Sequence, residues 1–255
     1  MRIFCPLASG SKGNSILFAT PTTKILIDAG ISFKQITERL QTLNISIHDI
    51  DAVVITHEHA DHIRGLDVLS KKTNIPILAN TETAKAILES VRVKPNFKIF
   101  STGETFTYGD VDLHPFSIQH DTVDPVAFTL CYENLKFGVC ADLGFVSSLV
   151  KMHLKDCDYL YIESNHEPSM VHACSRPYVY KQRVLGRQGH LSNQNCAELL
   201  KEISHTGLKH VYLAHLSDEC NNPEVALKSS KTSLESFTSN LSIAYQHKVS
   251  EPVYF

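Results

Sequence analysis

Short apolar runs separated by turn residues dominate the first quarter of the chain. These runs cover residues 2–7, 15–19 and 24–27, and the second follows the turn Ser9-Gly10-Ser11-Lys12-Gly13-Asn14. Short apolar runs bounded by glycine, serine and asparagine are typical of strands joined by tight turns. The pattern predicts an antiparallel meander whose third strand ends at Asp28-Ala29-Gly30.

Helical spacing begins directly after this meander. Ser32 can cap a helix in which Phe33, Ile36, Leu40 and Leu43 recur on one face. Further helices are predicted over 65–72, 81–89 (capped by Thr81), 146–152, 178–185, 193–203 and Pro223–Phe237. Further strands are predicted over 51–55, 75–79, 97–100, 104–108, 111–118, 125–132, 135–139, 159–162, 210–214 and 241–245. Two strand-rich blocks with interspersed helices predict an α+β fold of two packed sheets with helices outside, as one domain over residues 1–255.

Composition narrows the class of protein without identifying it. The chain has 255 residues, 43% hydrophobic and 20% charged, so it can bury a core without help from a metal. Its net charge of −3 means that nucleic-acid binding would have to rest on a local patch. Seven scattered cysteines without a CxxC pair predict reduced thiols and a cytoplasmic location. Neither a signal peptide nor a membrane segment is expected, and the oligomeric state is left open.

The sharpest chemical signal is a cluster of histidines and an aspartate after the apolar run 51–55. His57, His59, Asp61 and His62 fall within six residues. Imidazole and carboxylate groups are the usual ligands of zinc and similar divalent ions. In a turn, His57 and His59 can bind one ion while Asp61 and His62 bind a neighbour. A histidine-rich surface loop is the alternative, but chance rarely groups these residue types so tightly at a strand end.

His57-x-His59-x-Asp61-His62 resembles the HxHxDH signature of the metallo-β-lactamase superfamily. The resemblance implies an αββα sandwich, two mixed sheets flanked by helices, that holds two divalent ions: zinc or manganese, with iron as a further option. It also implies that Asp28 supports the metal loop. The additional ligands implied are His120, Asp142 and His215. Taken singly, each of those three would also be explained as a strand-end histidine or a helix cap.

Several other segments resemble the bacterial YycJ/WalJ branch, which is similar to ribonuclease Z-type phosphodiesterases. They are residues 7–14, Gly189-His190-Leu191-Ser192, His215-Leu216-Ser217 and Asn221-Asn222-Pro223. This resemblance implies 5′-to-3′ exonuclease activity on nucleic acid, with DNA favoured over RNA as the substrate.

Two neighbouring divalent ions suit phosphodiester hydrolysis, in which a water attacks and an oxygen departs in line. Asp61 is both a ligand and a natural acceptor for the proton of that water. His190 is the candidate general acid for the departing oxygen, although Ser192 beside it also fits a plain helix cap. Glu163 and His166 follow the run 159–162, where the resemblance implies residues that support or line the edge of the site.

A basic stretch provides candidate substrate contacts. Residues 168–197 contain no Asp or Glu but include Arg176, Lys181, Arg183 and Arg187. These side chains can hold a phosphate backbone or simply form a solvated helix face. In the glycine turn, Ser9 and Asn14 can line a pocket, although turn chemistry alone also explains them. Two alternatives therefore stay open: a hydrolase of small esters, thioesters or lactones, and a non-catalytic metal-binding regulatory protein.

Overall fold

The computed structural model describes residues 1–234 and 239–255. Contacts between residues divide the chain into two compact units. The first comprises residues 1–112, 122–126 and 245–255, and the second comprises residues 113–121 and 127–244. Because apolar runs alternate with helical segments in both halves of the sequence, each unit can bury its own sheet residues against its own helices.

The first sheet has seven strands in the spatial order β14-β1-β2-β3-β4-β5-β6. Strands β1 to β3 form the predicted antiparallel meander, whereas β3 to β6 are parallel neighbours. The bounds are β1 Ile3–Ala8, β2 Ser15–Ala19, β3 Lys24–Ile27, β4 Ala52–Val54, β5 Ile77–Ala79, β6 Phe97–Ile99 and β14 Val253–Tyr254.

The second sheet also has seven strands, in the order β13-β12-β11-β10-β9-β8-β7. Strands β9 and β10 are antiparallel, and β10 to β13 are parallel. The bounds are β7 Phe106–Tyr108, β8 Val111–Ser117, β9 Val126–Tyr132, β10 Leu135–Cys140, β11 Tyr159–Glu163, β12 His210–Ala214 and β13 Asn240–Ile243. The α+β class with two mixed sheets is therefore confirmed.

Helices connect the parallel strands. They are α1 Phe33–Gln41, α2 Ala60–Ile63, α3 Leu66–Lys72, α4 Thr81–Ser90, α5 Ser148–Leu154, α6 Pro168–Ala173, α7 Tyr178–Leu185, α8 Asn193–Ile203 and α9 Pro223–Lys231, with short 3₁₀ turns at Ile47–Asp49 and Thr232–Leu234. Within residues 1–234 and 239–255, no helix combines the length and apolar character needed to cross a bilayer.

Each unit has its own hydrophobic core. In the first, side chains of β1, β3 and β4 such as Leu7, Leu26 and Val53 pack with Ile36 and Leu40 of α1. In the second, the parallel strands β11 and β12 pack against α8 in the same way. Parallel strands covered by helices are buried on both faces, which explains why their sequences are continuously apolar rather than alternating.

Residues with unusual backbone geometry follow three of the parallel strands. Asp28 comes directly after β3, Asp142 two residues after β10, and His215 directly after β12, with φ angles of 63°, 55° and 53°. Non-glycine residues rarely adopt this left-handed conformation, and it is enriched where function demands it. Within each unit, the polar residues at the carboxyl ends of the parallel strands are therefore candidate functional residues.

Most predicted elements are confirmed, and the differences have local causes. Asn80, not Thr81, caps α4, because its side chain accepts a hydrogen bond from the Thr83 backbone N–H. Helix α6 was missed, since Pro168 at its first position looks like a break in the sequence. Strand β14 was also missed, because its two residues offer no periodicity. The helix predicted over Pro223–Phe237 is confirmed as far as Lys231, and its last three residues lie outside the described part of the chain.

Candidate metal centre

In the first unit, the histidine cluster follows β4. His57 lies three residues beyond that strand, and Asp61 and His62 belong to the one-turn helix α2. The His57 ring centroid is 4.0 Å from that of His62 and 4.9 Å from that of His59. His62 Nε2 lies 3.7 Å from an Asp61 carboxylate oxygen. The segment thus gathers three imidazoles and one carboxylate in a small volume, as the sequence predicted.

Asp28 supports this cluster from the neighbouring strand β3. Its buried carboxylate accepts hydrogen bonds from the Thr56 backbone N–H (2.9 Å) and the Thr56 hydroxyl (2.8 Å). His62 Nδ1 is 2.7 Å from the same carboxylate. A carboxylate at Nδ1 fixes the proton there and makes Nε2 the ring atom with a lone pair. The supporting role that the resemblance implied for Asp28 has a structural basis in these contacts.

The glycine turn packs beneath the cluster. The Asn14 backbone N–H donates to the Asp61 carbonyl (2.7 Å), and its side-chain nitrogen lies 3.0 Å from His62 Nε2. A Cβ atom on Gly30 would lie only 1.6 Å from the Asp61 carbonyl oxygen. Asn14 and Ser9 are both buried, at 2% and 1% exposure. This burial favours a role in holding the metal loop over the predicted role in contacting substrate.

The second unit contains candidate metal ligands at the carboxyl ends of β10, β11 and β12. One donor atom from each of Asp142, Glu163, His190 and His215 lies within 4.8 Å of the others. His215 Nε2 is 3.5 Å from an Asp142 carboxylate oxygen, and His120 Nε2 is 3.7 Å from the same oxygen. The five residues come from five separate stretches of sequence, which the fold of the second unit brings together.

Glu163 is the centre of this cluster. It is fully buried, and one of its oxygens accepts from the backbone N–H groups of Leu143 (2.6 Å) and Leu191 (3.1 Å). The other oxygen contacts Nδ1 of His190 (2.8 Å) and Nδ1 of His215 (3.0 Å). Burial alone would raise the pKa of Glu163, but the charge of His190 and the two imidazole hydrogen bonds bring that pKa below its usual value.

The contacts of Glu163 indicate that it supports the site and does not bind a metal directly. Because both oxygens already accept two hydrogen bonds, the carboxylate has no remaining lone pair directed at a metal. It instead orients the imidazoles of His190 and His215 through their Nδ1 atoms. The prediction that Glu163 supports the site agrees with this arrangement.

His190 differs from its neighbours in exposure. Its side chain is 21% accessible, whereas that of His215 is 1% accessible. The His190 ring therefore contacts Glu163 on one side and is partly open to solvent on the other. His166 is 2% exposed, and burial lowers its pKa to about 4. It is therefore held neutral, and its predicted contact with substrate is at odds with this burial.

In the folded chain, acidic side chains from other segments pair with the basic stretch of residues 168–197. Arg176 pairs with both carboxylate oxygens of Glu219, one of them 2.8 Å from its Nε atom. Arg183 Nε donates to Asp121 at 2.6 Å. The Lys181 ammonium donates to the His172 carbonyl at 2.6 Å. These partners lie up to 62 residues away in sequence, so the acid-free run gave an incomplete account of the surface charge.

Arg187 has a different environment. Its guanidinium lies 3.8 Å from the centroid of the Phe145 ring, which is 38% exposed. Phe145 follows Asp142 by three residues, and Arg187 precedes His190 by three. The pair therefore flanks the second-unit cluster along the chain. Phe145 was not predicted from the sequence, because an isolated phenylalanine after a strand carries no chemical signal.

A network of asparagines was also missed. The Asn165 side chain donates to the His215 carbonyl at 2.7 Å. The Asn221 side-chain nitrogen donates to the carbonyls of Ser164 (2.8 Å) and Asn165 (2.9 Å), and it also contacts Asn193. The Asn221-Asn222-Pro223 segment was the available sign, but nothing in the sequence indicated its role in holding the His215 loop.

The donor set in each unit fits divalent metal ions. In each unit a buried carboxylate contacts the Nδ1 atom of a histidine: Asp28 contacts His62 in the first unit, and Glu163 contacts His215 in the second. Unit one adds the carboxylate of Asp61 and unit two that of Asp142, and mixed imidazole and carboxylate ligation suits zinc, manganese or iron. Supporting carboxylates behind histidine ligands are the usual companions of such sites.

Comparison with known proteins agrees with this geometry. A family model described as a β-lactamase superfamily domain matches residues 23–216. The exodeoxyribonuclease YycJ of Bacillus anthracis is 35% identical over 234 residues, covering 91% of this chain and 89% of that protein. The exodeoxyribonuclease WalJ of Streptococcus pneumoniae serotype 2 is 39% identical over 224 residues, covering 86% and 83%. The chain therefore belongs to the β-lactamase superfamily, in its YycJ/WalJ branch.

A solved structure shows the same fold. The metallo-β-lactamase fold protein YhfI from Bacillus subtilis superposes with a TM-score of 0.76 at 17% identity, covering 98% of this chain and 100% of that one. The metallo-β-lactamase fold implied by His57-x-His59-x-Asp61-His62 is confirmed.

Proposed function

We propose that this chain is a divalent-metal-dependent exodeoxyribonuclease that digests DNA from the 5′ end. The observation that carries the proposal is the second-unit cluster, in which buried Glu163 orients His190 and His215 beside Asp142. The two relatives named exodeoxyribonuclease, which are similar over more than four fifths of the chain, support DNA as the substrate. In this proposal residues 1–255 act as one functional domain.

The proposed metal ligands are those predicted from the sequence. In this proposal His57, His59, Asp61 and His62 would provide metal ligands from the first unit. His120, Asp142 and His215 would provide metal ligands from the second. When bound, two such ions would activate a water for attack and would stabilise the charge that develops on the phosphate. Zinc and manganese both suit this ligand set.

The chain's own residues would carry the proton transfers. Asp61 would accept a proton from the attacking water, because a carboxylate oxygen is a suitable general base. His190 would donate a proton from Nε2 to the departing 3′-oxygen. Glu163 would hold the His190 ring in a fixed orientation through its contact with Nδ1.

The Phe145–Arg187 pair would position the substrate. A guanidinium lying over an aromatic ring provides a positive charge for phosphate and a flat surface on which a base can stack. By contrast, Arg176 and Arg183 already pair with carboxylates, which reduces the charge they can offer a phosphate. Arg187 is therefore the member of the basic stretch that we expect to matter most for binding.

The direct test is hydrolysis of single- and double-stranded DNA carrying a label at the 5′ or the 3′ end. Reactions contain the full chain with manganese or zinc, and a chelator control. We expect chelator-sensitive release of labelled nucleotides from the 5′ end. Equal cleavage of matched RNA would remove the preference for DNA, and cleavage of thioesters or lactones instead of both would favour the small-molecule alternative.

Two variants and a control test the residue assignments. His59→Ala should lose one equivalent of bound metal and nearly all activity, since it removes a ligand. His190→Ala should keep its metal and lose about 10²-fold or more in kcat, in line with the usual contribution of a general acid. His48→Ala, at an exposed position on a 3₁₀ turn, is the matched control and should behave as wild type. Wild-type turnover by His59→Ala would refute the ligand assignment.

A further inference from the structure

Two cysteines from distant parts of the sequence meet in the second unit. Cys174 follows helix α6, and Cys220 lies in the loop after β12. Cys220 is buried in a small hydrophobic cluster with Val171 and Val184, and Cys174 packs against that cluster. The two cysteines thus belong to one cluster of packed side chains although 46 positions separate them in the sequence.

The backbones on either side of the thiols are tied together. The Arg176 guanidinium, two residues beyond Cys174, binds the carboxylate of Glu219, which immediately precedes Cys220. The Glu167 backbone N–H, at the start of α6, donates to the Cys220 carbonyl at 2.8 Å. These contacts hold the two segments side by side, so bringing the sulfur atoms together requires little movement of the chain.

The two thiols differ in access to solvent. Cys174 is half-buried, whereas Cys220 is 1% exposed. An accessible thiol packed in the same cluster as a buried one is the arrangement in which the first can react with a small oxidant and the second can resolve the product. Both cysteines are free, in keeping with reduced thiols in the resting protein.

We propose that Cys174 and Cys220 form a reversible intramolecular disulfide in response to a hydroperoxide. The Cys174 thiolate attacks the peroxide oxygen, giving a sulfenic acid and releasing water or an alcohol. The Cys220 sulfur then attacks the sulfenic sulfur, forming the S–S bond and releasing water. Two thiols are oxidised and one hydroperoxide is reduced, and a dithiol reductant reverses the change.

This site is connected to the candidate metal centre through the next residue. Asn221 follows Cys220 and donates to the carbonyl of Asn165, whose side chain in turn holds the His215 carbonyl. A disulfide at Cys220 would therefore restrain the loop that carries His215. The thiol chemistry itself does not rest on the proposed function, and its test does not use DNA hydrolysis.

The test uses the full-length, metal-loaded protein exposed to a small excess of hydrogen peroxide and then quenched with catalase and a thiol-alkylating reagent. We expect the number of thiols titrated after denaturation to fall by two from the seven free cysteines. Peptide mass spectrometry should find Cys174 joined to Cys220 with the loss of two hydrogen atoms, and dithiothreitol should restore both thiols. Fragment ions must separate Cys174 from Cys157, because a tryptic fragment carries both.

Single variants separate the two steps. Cys220→Ser should stop at the sulfenic acid on Cys174, which dimedone traps. Cys174→Ser should leave Cys220 reduced, because its thiol is buried. Cys131→Ser, which removes an exposed cysteine, should still form the disulfide. Further oxidation of Cys174 in wild type without a link to Cys220, or a link from Cys174 to another cysteine, would overturn the proposal.

Discussion

Glu163→Gln is the substitution whose outcome follows most directly from the structure. The carboxylate accepts four N–H groups, two from the backbone and two from imidazoles. A glutamine of the same shape offers one oxygen and one NH₂ group, so two of the four donors must face another donor. Backbone N–H groups cannot adapt, whereas an imidazole can move its proton from Nδ1 to Nε2. We therefore expect the glutamine oxygen to face the backbone and its NH₂ group to face the histidines.

This substitution would change which nitrogen of His190 and His215 carries the proton. With the proton on Nε2, His215 can no longer donate that atom's lone pair to a metal. Mutation of a residue that orients a metal-binding histidine typically lowers metal affinity about 10–100-fold, which corresponds to roughly 1.4–2.7 kcal/mol. Replacing charge-assisted hydrogen bonds by weaker neutral ones should also lower the free energy of unfolding by about 1–3 kcal/mol.

Two measurements separate these effects. Competition with a chromophoric chelator gives the metal affinity of the folded protein, and urea unfolding in excess chelator gives stability without metal. Glu198→Gln, on the exposed face of α8, is the matched control and should change neither quantity measurably. Wild-type metal affinity in Glu163→Gln would refute the view that this carboxylate fixes the proton on Nδ1. Reduced stability with unchanged metal affinity would leave Glu163 a purely structural role.

Three further predictions concern packing, pH and substrate binding. Gly30→Ala should lower the free energy of unfolding by about 3 kcal/mol or more, because the added Cβ would clash with the Asp61 backbone. The control Gly103→Ala has open space around it and should lower the free energy of unfolding by about 1 kcal/mol. Equal midpoints of urea unfolding for the two variants would contradict this prediction. Burial lowers the pKa of His210 to about 4, so as the pH drops the unfolded state takes up this proton before the folded state does. The free energy of unfolding should therefore fall between about pH 6.5 and about pH 4, by up to about 1.4 kcal/mol per pH unit. His210→Phe should flatten that part of the stability profile relative to wild type, and identical slopes in urea titrations would disprove the assignment. Arg187→Ala should raise the KM for DNA about tenfold with little change in kcat, and an unchanged KM would exclude it from substrate binding.

The sequence predicted best those features whose residues lie close together along the chain. His57, His59, Asp61 and His62 are adjacent, so their grouping could be predicted without knowing the fold. The elements β2, β3, α7, α8 and β12 were also predicted with the bounds that the structure gives them. Their apolar periodicity and caps are local signals that tertiary packing did not override.

The sequence was least informative where distant segments meet. Arg183 and Arg176 looked like free charges because Asp121 and Glu219 lie 62 and 43 residues away. Asn14 was predicted to line a pocket or simply to form a turn, yet its buried amide contacts the metal loop 47 residues ahead. Such pairings depend on which strands become neighbours, and composition or periodicity in one segment cannot report that.

The left-handed backbone at Asp28, Asp142 and His215 bears on how this protein can be engineered. Each of these conformations costs an L-residue about 1–2 kcal/mol that glycine would avoid. Together the three amount to a sizeable part of the roughly 5–15 kcal/mol by which an ordinary domain is stable. Glycine at Asp28 or His215 would relieve this strain but would leave the buried partners Thr56, His62 and Glu163 without a hydrogen-bonding group. Relief of backbone strain alone is therefore a poor route to stabilised variants of this protein.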